Sequence, residues 1–285
     1  MTVSTNVGSV FAMGAQRLRA GAGPHGVASA SLDAGLLLAH VLQTTRAGLM
    51  SHTERAVEPA AVRRYCALIE RRARGEPLAY LTGTHEFWSL PLEVCSAVLV
   101  PRPETELLVE RALALRSASY GRVADLGTGC GAVALALASE RPHWQVTATD
   151  LSAEALAIAR ANAAQLKLHA VDFRHGSWFA PLAETRFDLI VSNPPYVAAD
   201  DPALAAPGLA HEPRLALTPG TDALACLRAI ARDAPQHLDP GGWLLLEHGN
   251  DQGEAVRREL VLAGLRYVRS HRDLAGHERV TEGQI

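Results

Sequence analysis

From Arg122 onward the chain alternates two kinds of hydrophobic pattern. Short strand-like runs fall at 121–126, 145–150, 168–174, 187–192 and 243–248, and the fourth is apolar enough to be a buried strand. Between them, at 132–140, 152–165, 222–237 and 250–263, apolar residues recur every three or four positions, the period of a helix. A more polar strand pair closes the chain near 265–271 and 278–284. Alternation of this kind predicts a mostly parallel sheet of seven strands wound by helices. In such a sheet ligands bind at the carboxyl ends of the strands.

Before residue 84 the pattern is helical throughout. Ser31 is the expected N-cap of a helix carrying Leu32, Leu36, Leu37, Ala39 and Leu42. Glu58-Pro59 opens a second helix with Val62, Cys66 and Ile69 on one stripe, and Gly75 and Pro77 end it. Residues 1–83 thus read as a small helical bundle. Glu86-Phe87-Trp88 and Leu92-Glu93-Val94, split by Pro91, make 84–100 a hairpin linker, and 101–285 the sheet domain. The Pro- and Ala-rich stretch 197–220 is long for a connection, and loops of that length often serve as lids.

Composition narrows the field without choosing a function. Of 285 residues, 48% are apolar and 20% charged, ordinary for a globular protein. No apolar stretch approaches the roughly 18 residues of a membrane span. A basic start followed by an apolar block is missing, so a cytoplasmic location is expected rather than secretion. Cys66, Cys95, Cys130 and Cys226 are scattered, and the twelve histidines lack metal-site spacing; reduced thiols and no metal are expected. Residues 1–85 hold nine arginines and five acids, whereas the remainder holds 18 basic and 25 acidic residues. That balance suits no general nucleic-acid binder, although the basic helical part could meet an acidic partner.

Two loops carry the candidate chemistry. Gly127-Thr128-Gly129-Cys130-Gly131 follows a strand ending in Asp125-Leu126 and precedes a helix, so backbone can approach a ligand closely there. Asp150 ends the next strand, a carboxylate placed to accept hydrogen bonds from ribose hydroxyls. Both features also fit a dinucleotide site. Asn193-Pro194-Pro195-Tyr196, directly after the run Phe187–Ser192, breaks the tie. A carboxamide oxygen and the Pro194 carbonyl can accept from a substrate NH2 group, Pro195 fixes the backbone, and Tyr196 offers a flat face. Hydride transfer has no use for such a clamp; delivery of a methyl group from S-adenosylmethionine to nitrogen does.

The order of several motifs then resembles a known family. Glu76-Pro77-Leu78-Ala79-Tyr80-Leu81-Thr82-Gly83, Phe87-Trp88, Arg102-Pro103-Glu104-Thr105-Glu106, Asp125-Leu126-Gly127-Thr128-Gly129, Asn193-Pro194-Pro195-Tyr196, Glu212-Pro213 and Arg279-Val280-Thr281 occur in sequence. The chain resembles the HemK-type glutamine methyltransferases of peptide-chain release factors from about residue 30 to its end. The resemblance implies a Rossmann-like class I methyltransferase sheet behind a helical substrate-docking domain. It implies S-adenosylmethionine as cofactor, S-adenosylhomocysteine as product, and class 1 release factors as protein substrate in translation termination. Gly127 to Gly131 would surround the methionine part of the cofactor, Asp150 its ribose and Trp178 its adenine, with Asn193 also against it. Asn193 to Tyr196 would hold the glutamine of a Gly-Gly-Gln loop, and Arg102 and Glu104 would organise the entrance. His211 departs from the aromatic ring often found before Glu212-Pro213. A monomer without stable nucleic-acid binding or membrane attachment is expected. The alternative is a nucleic-acid amino-methyltransferase acting on adenine or guanine, which would also need a base-flipping pocket and basic surface. A silent nucleotide-binding module and an NAD-dependent dehydrogenase fit the clamp less well.

Overall fold

The computed structural model describes residues 5–20, 29–116 and 118–285. The chain folds as two compact units, 1–83 with 205–211, and 84–204 with 212–285. The hairpin expected as a linker is part of the second unit.

In the first unit, α1 (Val7–Ala20), α2 (Ala30–Leu42), α3 (Arg46–Ser51), α4 (Pro59–Ala73) and α5 (Leu78–Thr82) enclose a core of Leu18, Leu37, Leu38, Tyr65 and Ile69. Gly14 lets α1 close on α4: a Cβ there would sit 1.9 Å from the Tyr65 hydroxyl. That buried hydroxyl donates to the Ala34 carbonyl (3.2 Å). The expected cap at Ser31 is corrected by the structure. Helix α2 begins at Ala30, where Ser29 makes no side-chain cap and instead donates to Asp33 Oδ1 (2.8 Å). Ser31 lies inside the helix and accepts from Arg19. Buried Asp33 takes its counter-charge from Arg72 (2.8 Å).

The second unit opens with β1 (Thr84–Phe87) and β2 (Leu90–Glu93), an antiparallel pair. Its turn is Trp88-Ser89 rather than Pro91. Both turn residues have positive φ, 53° and 59°, as a tight two-residue hairpin requires. The cost to Trp88 is offset by two hydrogen bonds, from its backbone N–H to Glu106 (2.9 Å) and from its indole N–H to Glu140 (2.8 Å). Pro91 pairs with Glu86 at an edge, where a missing N–H does little harm.

There follow α6 (Glu106–Leu115), β3 (Gly121–Leu126), α7 (Ala132–Glu140), β4 (Trp144–Asp150), α8 (Ala153–Gln165), β5 (Asp172–His175) and β6 (Phe187–Ser192). After α9 (Arg214–Leu217) and α10 (Ala225–His237) come β7 (Leu238–Glu247), α11 (Gly253–Leu262), β8 (Arg266–Arg272) and β9 (Glu278–Gln284). The sheet order is β5-β4-β3-β6-β7-β9-β8, parallel except for β9, which runs antiparallel to both neighbours. Strand order reverses between β3 and β6, which opens a crevice at their carboxyl ends. Buried Leu126, Ile190, Leu244 and Leu246 fix the inward face there.

Two strand boundaries differ from expectation for local reasons. Residues 168–171 lie ahead of β5 instead of opening it, because Lys167 adopts φ 60° and the Leu168 N–H returns to the Ala163 carbonyl (2.8 Å) in the turn that follows α8. Strand β7 starts at Leu238, pairing with Phe187 before a bulge at Asp239–Gly242 restores register at Trp243.

Candidate active site

The glycine loop takes its shape from backbone hydrogen bonds. The N–H groups of Gly127 and Thr128 both donate to the Thr149 carbonyl (2.8 and 2.9 Å). Thr128 Oγ1 and the Ala134 N–H donate to Asp125 Oδ2 (2.7 and 3.2 Å). Burial pushes the Asp125 carboxyl up to about 7, against the pull of those two donors. Fully buried Asn162 braces the loop from behind: its Nδ2 donates to the Cys130 carbonyl (2.9 Å) and the Glu93 carbonyl (3.0 Å), and its Oδ1 accepts from the Glu93 N–H. Each bond of this kind contributes about 1 kcal/mol, and leaving a buried partner unpaired costs more.

Asp150, at the end of β4, accepts from the Gly129 N–H and the Ser152 N–H, one on each oxygen at 2.8 Å. Burial raises its carboxyl, while these two donors hold it down. A carboxylate offers about four lone-pair positions, so two remain for hydroxyl donors. Trp178 stands in a left-handed conformation, φ 45°, that a bulky residue rarely adopts. Thr149 Oγ1 donating to the Trp178 carbonyl (3.0 Å) holds it there. Its ring covers Gly127 so closely that a Cβ on that glycine would lie 3.2 Å from it.

At the end of β6, Ser192 Oγ donates to the Leu126 carbonyl (2.6 Å), joining the two loops at their roots. Asn193 Nδ2 donates to Thr105 Oγ1 (3.1 Å), which leaves Oδ1 for the cavity that Asn193 lines. The Tyr196 carbonyl accepts from Gln252 Nε2 (2.9 Å), and the Tyr196 hydroxyl donates to Glu247 Oε1 (3.4 Å). Burial raises the Tyr196 phenol. Arg102 pairs with buried Glu212, which also accepts from the Val100 N–H (3.1 Å) and so holds the strap 96–102 in place.

These elements surround one cavity of about 450 Å³. Of the residues singled out in the sequence, Gly127, Gly129, Asp150, Trp178, Asn193 and Pro195 line it. The side chains of Thr128, Cys130 and Pro194 are buried, and Gly131 starts α7 with φ 89°. Tyr196 turns to Glu247, Arg102 to Glu212, and Glu104 sits close enough to Glu247 to disfavour its charge. The cavity is also lined by the strap residues Val98 and Leu99 and by Pro213, Ala216 and Pro219 of the long connection. That connection is not structureless: it holds 3₁₀ turns at 202–205 and 209–211, then α9. His211 falls in the part that belongs to the first unit, where its Nε2 donates to the Arg74 carbonyl (3.2 Å).

Thr105, Asn162, Glu212 and Glu247 were given no role from sequence. Glu247 carried a usable signal, because it ends an apolar run at the carboxyl end of its strand, as Asp150 does. Asn162 sits mid-helix without any pattern to mark it. Among the described residues no cluster of three or more His, Cys, Asp or Glu could hold a metal, and no helix is long and apolar enough to cross a membrane.

The seven-stranded order with its reversed β9, and a cavity at the β3–β6 switch point, define a class I methyltransferase fold. A solved methyltransferase from Pyrococcus furiosus shares that fold at 20% identity, with a TM-score of 0.52 over 68% of this chain and 88% of that one. Residues 103–221 match the methyltransferase small domain, and residues 10–83 the PrmC N-terminal domain. The release factor glutamine methyltransferase of Xylella fastidiosa (strain Temecula1) is 54% identical over 89% of this chain and 92% of its own length. That of Vibrio cholerae is 49% identical over 90% of both chains. The chain belongs to the release factor glutamine methyltransferase family.

Proposed function

We propose that the chain transfers a methyl group from S-adenosylmethionine to the side-chain amide nitrogen of the glutamine in the Gly-Gly-Gln loop of class 1 peptide chain release factors. The observation that carries this reading is the Asn193 carboxamide. It lines the cavity beside Gly127 and Asp150, with its nitrogen committed to Thr105 and its oxygen left to accept.

The residues present fit the cofactor. Gly129 has open space where a Cβ would stand, so backbone there can lie against a ligand. Asp150 keeps lone pairs for ribose hydroxyls, and Trp178 offers a ring on the same wall. Bound there, S-adenosylmethionine supplies a methyl group on a positively charged sulfur.

The protein's share of the work is orientation. An amide nitrogen is a weak nucleophile because its lone pair is delocalised into the carbonyl. Asn193 Oδ1 and the Pro194 carbonyl accept the two N–H bonds of the glutamine amide, favouring the pyramidal nitrogen over the planar one. Pro195 fixes the backbone that carries the second acceptor. Alignment of this kind lowers a barrier by roughly 7–11 kcal/mol. Acceptors facing the developing positive charge add electrostatic stabilisation. The released proton goes to water. The reading needs one chain, no metal and no nucleic acid, and its substrate places it in the cytoplasm. The helical unit, with nine arginines to five acids, serves as the docking surface for the release factor.

Purified protein incubated with tritiated S-adenosylmethionine and either a release factor or bulk RNA tests this reading. Label on the glutamine of the Gly-Gly-Gln peptide, located by mass spectrometry, is the expected result. Label on RNA with none on the release factor would replace it with a base amino-methyltransferase.

A further inference from the structure

We infer that Gln252 is a positioning residue that sets where the backbone acceptor of the clamp stands, by holding the Tyr196 carbonyl. The inference rests on the reading of Asn193 and Pro194 as acceptors for a substrate amide, and deepens it. Pro194 and Pro195 settle the shape of 193–196: φ is fixed at both, and Asn193 and Pro194 are each kept extended by the proline that follows. They do not settle its place. Neither proline has an N–H to anchor it, so the segment is held at its ends. At the entry, Ser192 Oγ donates to the Leu126 carbonyl (2.6 Å) and Asn193 Nδ2 to Thr105 Oγ1 (3.1 Å). At the exit, Gln252 Nε2 donates to the Tyr196 carbonyl (2.9 Å), and the Val197 N–H donates to the Leu217 carbonyl of α9 (3.0 Å). The first of these exit bonds leads to the turn between β7 and α11, the second to the long connection.

Gln252 is itself fixed. Half-buried, it closes its own turn: Oε1 accepts from the Gly249 N–H (2.9 Å), and its backbone N–H donates to the Gly249 carbonyl (3.0 Å). Buried His248 donates from Nδ1 to that same carbonyl (2.8 Å), and its backbone N–H donates to the Arg279 carbonyl of β9 (2.9 Å). The partners of the Gln252 side chain are a carbonyl, which only accepts, and an N–H, which only donates. Its amide therefore has one satisfied orientation, with the nitrogen toward Tyr196. A carboxamide is the side chain that can accept from the turn and donate to the clamp at once. Through that bond a rigid turn dictates the place of a stiff segment, and the acceptors on the segment move as one. Groups that orient a reacting atom must stand within about 0.5 Å of the productive geometry, which support of this kind secures.

Gln252→Glu isolates the bond. Its carboxylate still accepts from the Gly249 N–H and suits the start of α11, but it has no proton for the Tyr196 carbonyl. At saturating cofactor and release factor, kcat should fall roughly 10–100-fold, the scale of a misplacement of about 1 Å. The KM for S-adenosylmethionine should stay within about twofold, and the urea midpoint should match that of the wild type. An unchanged kcat, or a loss shared equally with cofactor affinity, makes Gln252 a structural support alone and overturns the inference. Gln252→Met serves if the added charge unfolds the chain: it loses both bonds, and kcat should fall at least as far while the KM holds. A second readout needs no protein substrate. In a crystal structure of either variant with S-adenosylhomocysteine, the Pro194 carbonyl should stand about 0.5 Å or more from its place in the wild-type complex. A carbonyl that has not moved also overturns the inference. Absence of release-factor methylation by the wild type would defeat the proposed function instead, and the crystal structures would still decide this point.

Discussion

The loops after β3 and β6 solve the same problem by opposite means. Each must bring main chain against a ligand at the end of a parallel strand. The first does so with three glycines at positive φ (75°, 58° and 89°), which remove side chains and permit the turn. The second uses two prolines, which fix the backbone before anything binds. The flexible sequence borrows its shape from outside, from Thr149, Asp150 and Asn162. The rigid one needs neighbours mainly for its side chains: Thr105 for Asn193, Glu247 for Tyr196. Damage to the glycine loop should therefore appear in cofactor affinity, and damage to the clamp in turnover.

The largest effect is expected at the clamp. Asn193→Ala removes one acceptor from the reacting nitrogen, and kcat should fall roughly 10²–10³-fold, the scale of losing one group aimed at developing charge. Calorimetry should find cofactor affinity close to that of the wild type. Equal losses in both quantities would erase the distinction between the two loops.

The buried carboxyl beneath the glycine loop comes next. Asp125 holds its proton up to about pH 7 in the folded chain and only to about 4 when unfolded. Between those values the folded state binds more protons, so stability falls as pH rises through that window. From pH 5 to pH 8 its share is about 2–3 kcal/mol, and Asp125→Asn should remove that share of the slope. Urea unfolding followed by tryptophan fluorescence reads the right unit, because Trp88, Trp144, Trp178 and Trp243 all belong to it. A variant with the wild-type slope would assign the pH dependence elsewhere, Glu247 first.

Gly127→Ala is a smaller and more local change. It places a Cβ 3.2 Å from the Trp178 ring at a φ of 75°, where an L-residue costs about 1–2 kcal/mol. Cofactor affinity should drop about tenfold, while kcat at saturating cofactor changes little. A collapse of kcat at saturation would mean that the loop, too, acts on the reacting atoms.

What could be read from the chain follows from the range of each interaction. Strands β3 and β6, helix α7 and both loops were legible because their signals are local: short apolar runs, helical spacing, and glycine or proline at fixed offsets. Boundaries set by distant partners were not. The Trp88-Ser89 turn rests on Glu106 and Glu140, and neither is visible from a window around Pro91. The start of β7 depends on Phe187, about fifty residues earlier. Within the site, the residues of the cavity wall announced themselves by type, whereas their supports did not. Thr105 and Glu212 stood inside recognised motifs but gained meaning only once Asn193, Arg102 and Val100 were seen against them. Asn162 looked like any polar residue on a helix.

The smallest expected effect gives the sharpest form of the contrast. Cys130 sits in the middle of the glycine loop, but its side chain is buried and its thiol is pushed up to about 12 by that burial. Only its carbonyl serves the loop, as an acceptor for Asn162. If the loop works through backbone alone, Cys130→Ala should cost no more than about 1 kcal/mol of stability and leave cofactor affinity unchanged, because it trims one atom from a packed site. Cys226 provides the internal control, since it lines the cavity and is only half-buried. A thiol reagent should label Cys226 well before Cys130, and S-adenosylmethionine should slow the first reaction. A tenfold loss of cofactor affinity in Cys130→Ala would mean that a side chain of the loop reaches the ligand, and the opposition between a glycine-built and a proline-built wall would fail.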